Sequence, residues 1–113
     1  MTEEMLTPDR AACMMDTDLP GVERARRDGH VIGTEDGAAG FLYPDWQFRY
    51  DGQPFFDISN VILAVGGDHG RAYEFMTSTH EELAGQTAWE YLRITRVEDL
   101  GDMAHRWHAR EKM

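Results

Sequence analysis

Short apolar stripes, separated by glycine, proline and acidic positions, divide this chain into helices at both ends and strands between them. Thr7-Pro8-Asp9 combines a hydroxyl cap, a proline at the first helical position and an acid in the first turn, so a helix begins there. Over Pro8–Met15 the apolar face is Ala11, Ala12, Met14 and Met15. Asp16-Thr17-Asp18 breaks that helix and caps a second, from about Leu19 to Asp28, with Val22 and Ala25 inward and the arginines outward. Gly29 suits the position just past its end, where a left-handed residue is favoured.

Beyond Gly29 the period changes. His30-Val31-Ile32-Gly33 predicts a short strand, Thr34–Gly40 a turn, and Phe41-Leu42-Tyr43 the returning strand, ended by Pro44. Trp46, Phe48 and Tyr50 alternate with polar residues, which predicts one aromatic face packed on the helices, and Asp51-Gly52 is a turn. Helical spacing resumes from Asp57 with Ile58, Val61, Ile62 and Val65, ended by Gly66-Gly67-Asp68. A further helix covers about Gly70–Met76, and Thr77–Gln86 is a polar interruption. Thr87–Leu92 and Glu98–Arg110 form two closing helices around Ile94-Thr95-Arg96. These elements predict an α+β, mainly helical protein: a small unit of two helices and a hairpin over residues 1–50 followed by a compact helical unit over 51–113.

The composition adds constraints. With 113 residues, 42% of them hydrophobic, the chain can pack one domain or two small units sharing a core. No apolar run approaches the roughly 20 residues of a membrane span, and the acidic start with Glu3, Glu4 and Asp9 is unlike a signal peptide, so a cytoplasmic location is expected. Cys13 is the only cysteine, which excludes an internal disulfide, and its neighbours Met14 and Met15 predict a small buried hydrophobe. The net charge of −10 favours solubility or a basic partner over phosphate binding. The only net basic stretch is Gly21–Gly33, built from Arg24, Arg26 and Arg27.

Two stretches resemble known families. Leu6–Phe48, reading TPDRAACMMDTDLPGVERARRDGHVIG and then GFLYPDWQF, resembles the winged helix-turn-helix of MerR-like and excisionase-like DNA binders. Phe75–Leu92, reading FMTSTHEELAGQTAWEYL, resembles the toxin-binding domain of the Xre/MbcA/ParS antitoxin family. The matching positions are Leu83, Gly85, Thr87 and Leu92, with Ala88 standing where the family usually has proline. The resemblance implies a protein that neutralises a cognate toxin, often an NAD-consuming enzyme of the RES type, and represses its own operon through the DNA-binding half. It places toxin contacts at Leu83, Gly85, Gln86, Thr87 and Trp89 and on the final helix, where Trp107 and Arg110 suit interface anchors.

Each candidate group also has a plainer reading. Arg24, Arg26 and Arg27, with His30, can contact phosphates, or they can form a solvated helix face pairing with Glu23 and Asp28. Three arginines bind weakly and with steep salt dependence, so DNA binding would call for a homodimer. The aromatics from Trp46 to Phe56 are core or an exposed sticky surface. His105 and His108 could share a metal, but no third ligand stands at matching spacing. Glu81 and Glu82 beside His80 lack a nucleophile, and no Walker loop, GxGxxG, GxSxG or zinc spacing occurs, so no catalytic residue, cofactor or metal is expected. The rival to the antitoxin reading is an acidic inhibitor or adaptor, phage-borne or otherwise, that binds a basic nucleic-acid-handling protein without touching DNA.

Overall fold

A computed structural model describes residues 3–37, 40–94 and 100–111. The protein is α+β and mainly helical. Two short helices come first. Helix α1, Pro8–Met15, is capped by the Thr7 hydroxyl, which accepts from the Arg10 N–H at 3.3 Å. Asp16 closes it in the left-handed region, and the Asp18 carboxylate caps α2, Leu19–Arg27, through the Gly21 N–H at 2.8 Å. Gly29, at φ +76°, then turns the chain so that the His30 N–H reaches the Ala25 carbonyl at 2.9 Å.

Three strands flank this pair. The sequence pattern gave no sign of β1, Met5–Leu6, which is too short to show a period. It pairs antiparallel with β3, Gly40–Pro44, which also pairs with β2, Thr34–Asp36, in the spatial order β1-β3-β2. The strand expected at His30–Gly33 is displaced to Thr34–Asp36. Its backbone partner there is a side chain: the Gln47 amide takes both the N–H and the carbonyl of Ile32, at 2.6 and 2.9 Å, so Ile32 has no ladder to join. Ala38 and Ala39, within the predicted turn, lie outside the described residues.

The aromatic alternation is interrupted in the same way. A single 3₁₀ turn at Asp45–Gln47 replaces extended backbone, so Trp46 and Phe48 enter different cores and Tyr50 is fully exposed. Phe55 is partly buried and Phe56 is exposed, so the run from Trp46 to Phe56 is core only in part. The Arg49–Gly52 turn packs on the end of α1: a Cβ on Gly52 would stand 2.0 Å from the Met14 carbonyl oxygen, and Gln53 Nε2 donates to the Met15 carbonyl at 3.0 Å. Cys13 is exposed rather than buried, because Ala11, Ala12 and Met15 supply the inner face of α1.

The remaining helices are α3, Phe56–Ala64, α4, His69–Thr77, α5, Ala88–Ile94, and α6, Leu100–Glu111. Ile58, Val61, Ile62 and Val65 are buried as their spacing predicts, against Phe75, Leu92, Leu100 and Ala104. Asp68 caps α4, and Thr87 with Glu90 forms a reciprocal cap on α5. Thr95, Arg96, Glu98 and Asp99, from the expected link and the expected start of the last helix, lie outside the described residues.

Two apolar clusters result. The smaller contains Leu6, Val22, Val31, Tyr43 and Phe48; the larger is the helical core. Ile32 and Trp46 cross from the first half into the larger one, where Trp46 stacks between Tyr73 and Trp89 at 6.3 and 6.0 Å. Glu3 clamps the junction, accepting from Trp46 Nε1 and from the Tyr73 hydroxyl, both at 2.8 Å. Among the described residues no helix is long and apolar enough to cross a membrane.

Candidate nucleic-acid and partner surfaces

Helix α2 follows α1 through a tight turn and precedes the β2–β3 hairpin, which stands where the sequence leads us to expect a wing and is called the wing below. Its three arginines do not act alike. Arg24 is exposed and belongs to no ion pair among the described residues. Arg27 is exposed but held by Glu23 at 2.5 Å. Arg26 departs from the outward face expected for it: its side chain is only 17% exposed and its guanidinium lies 3.8 Å over the Phe41 ring. The helical period explains this, since Arg26 sits four residues after buried Val22 and so faces the wing. His30 is exposed, with Nδ1 3.3 Å from the Ser59 hydroxyl of α3. Glu23 pairs with both Arg26 and Arg27, and Glu35 lines the same cleft as Arg26, so the field here is mixed rather than basic.

The residues matched to toxin binding divide in the same manner. Leu83, Trp89 and Trp107 are buried, which removes them as exposed anchors. Trp107 meets the Phe75 ring edge-on at 5.5 Å and lies under the Arg71 guanidinium at 4.2 Å. Thr87 is half-buried and occupied in capping. Gly85, Gln86 and Arg110 remain exposed. Around them the link is tightly built: the His80 N–H donates to the Gln86 carbonyl at 3.1 Å, and the Gly85 N–H to the His80 carbonyl at 3.0 Å. Buried His80 sets its Nε2 3.0 Å from the Phe75 carbonyl. Glu82 reaches Arg106 and Arg110 of α6 at 3.1 and 3.9 Å, tying the loop to the last helix. Of the histidine pair considered for a metal, His105 is exposed and His108 accepts from Arg71 Nε at 3.4 Å.

Sequence reasoning missed a third feature, the seam between the wing and α4. A cleft of about 550 Å³ opens there, with Arg26, Thr34, Phe41, His69 and Tyr73 among its lining. A second, of about 320 Å³, lies between the end of α2 and α3. The His69 ring accepts from the Gly33 N–H at 3.2 Å. Burial lowers the His69 pKa from its ordinary value; the Arg26 charge adds to this, while the Arg26 carbonyl and Asp68 oppose it. The only sequence sign of this seam was the Asp68-His69-Gly70 helix start, which by itself says nothing of a partner. Comparison with protein-family models, curated proteins and solved structures finds no match to the chain.

Proposed function

We propose that the chain is an antitoxin-like partner protein, whose helical half binds and neutralises a cognate toxin and whose winged half binds operator DNA. The observation that supports it best is the Ala84-Gly85-Gln86 loop. Ala84 has φ 58° and ψ 32°, a left-handed conformation that costs a non-glycine residue roughly 1–2 kcal/mol. Strain of this kind persists where the surroundings over-determine it, commonly at binding sites. Here the Thr79–Thr87 bridge, the His80 contacts and the Glu82 pairs hold an exposed loop rigid. A rigid loop loses little freedom on docking, so its contacts convert more fully into affinity.

The DNA half would rest on Arg24 and Arg27, with Arg26 supporting the wing from within. Two outward arginines per chain make dimerisation necessary for useful affinity. Co-expression with the product of the neighbouring gene tests the toxin half. Rescue from growth arrest by wild type, lost in Gln86→Arg with unchanged thermal stability, is the expected result. Co-purification of that product with wild type alone would identify the partner.

One observation favours the second reading, an acidic adaptor for a basic protein. Glu23 already engages Arg27, and Glu35 and Asp36 lie on the wing, where a DNA-tracking element would carry cations. Retention on a DNA-cellulose column at low salt supports the operator-binding form; flow-through supports the adaptor.

A further inference from the structure

Among the described residues His69 alone lines both clefts, and so stands between them. Its Nδ1 accepts the Gly33 N–H at 3.2 Å. Both nitrogens of a protonated imidazole donate, so an accepting Nδ1 defines a neutral ring. Gly33 is packed closely by both neighbours: a Cβ there would stand 2.7 Å from Arg26 Cδ and 3.2 Å from Tyr43 Cε1.

We propose that His69 is a pH-sensitive positioning residue, which when neutral holds the arginine helix and the wing against the helical half and when protonated releases them. Protonation would place an Nδ1–H against the Gly33 N–H, two donors with no acceptor between them. It would also add a second cation beside Arg26. The charged and titratable groups near the ring are Arg26, Arg27 and Asp28 from α2, Glu35 from β2, and Asp68 and Tyr73 from α4. Burial and Arg26 resist the charged ring more than Asp68 favours it. The neutral, latched form therefore holds at neutral pH, and release begins only in the mildly acidic range.

The inference stands apart from any toxin or operator, and nuclear magnetic resonance of the full chain tests it. The His69 ring signals and the exchange protection of the Gly33 amide are followed from about pH 8 to about pH 5. Protection, corrected for intrinsic exchange, should fall on the order of tenfold, the scale of one hydrogen bond, with the same midpoint as the ring. In His69→Asn, whose carbonyl can replace Nδ1 as acceptor without titrating, Gly33 protection should stay flat. Flat protection in wild type, or the same fall in His69→Asn, overturns the proposal. So does a Gly33 midpoint that differs from the His69 ring midpoint, whatever the variant does.

Discussion

Gln47 holds Ile32 from both sides of its peptide backbone: Oε1 accepts the Ile32 N–H at 2.6 Å and Nε2 donates to the Ile32 carbonyl at 2.9 Å. The same Nε2 also donates to the Pro44 carbonyl at 3.1 Å. One fully buried amide thus does the work of a strand partner where the chain passes from the smaller apolar cluster into the larger. Replacing it with leucine keeps the volume and leaves these backbone groups unpaired in the interior. Each orphaned group costs about 1–3 kcal/mol, so with three of them Gln47→Leu should lose about 3 kcal/mol of stability or more by urea denaturation. A loss below about 0.5 kcal/mol, the range of ordinary surface changes, would contradict this role.

Trp46 should be the most sensitive single core position. It is 1% exposed and contacts both Tyr73 and Trp89 by stacking. Trp46→Ala should cost about 3–5 kcal/mol. Trp89 and Trp107 are buried too, so native emission should be blue-shifted and move red on unfolding. A native spectrum resembling that of the urea-unfolded chain would refute the burial of all three.

The helices were legible in the sequence because their stripes, caps and glycine stops agree. Thr7-Pro8, Asp18, Gly29 and Thr87 all act where their chemistry places them. The displaced strand and the broken aromatic face were not legible, since both depend on Gln47, a polar residue whose long-range partner no local period can reveal. The candidate sites suffered from the same limit. Arg26 and Trp107 look like surface residues in the sequence, yet each is drawn inward by an aromatic or cationic neighbour distant in the chain.

The arginines of α2 should separate by function. Arg24→Ala with Arg27→Ala should abolish any operator shift in a gel assay while moving the melting temperature little, because both side chains are exposed. Arg26→Ala should instead destabilise the wing, since it removes the cover over Phe41. Equal stability losses from all three substitutions would contradict the division.

Tyr73 should titrate well above the ordinary phenol range. Burial, then the hydrogen bond to Glu3 and its negative charge, push its pKa from 10 up to about 12. In the unfolded chain the phenol loses its proton near 10, so the folded state binds that proton more tightly. The stabilisation is complete below pH 10 and is lost as pH rises from 10 through about 12. Tyrosinate absorbance should show one late step that moves earlier in Glu3→Gln and vanishes in Tyr73→Phe. A late step that survives Tyr73→Phe belongs to another group.

The partner surface yields the last prediction, and salt distinguishes its two forms. Docking on Ala84–Gln86 relies on a rigid backbone and close fit, which ionic strength scarcely affects. Docking on acids such as exposed Glu35 and Asp51 and half-buried Asp36 and Asp45 relies on charge, screened beyond roughly 8–10 Å at physiological salt. Removing α6 would not help to choose, because Leu100, Ala104 and Trp107 belong to the main core and the remainder would not fold as it does now. Point changes do choose. Gln86→Arg should weaken a complex with the neighbouring gene product at least tenfold and leave its salt dependence unchanged. Glu35→Gln with Asp36→Asn should leave affinity within about twofold and flatten any salt slope. If the acidic pair alone destroys binding and Gln86→Arg is silent, the loop is not the docking surface and the adaptor reading takes its place.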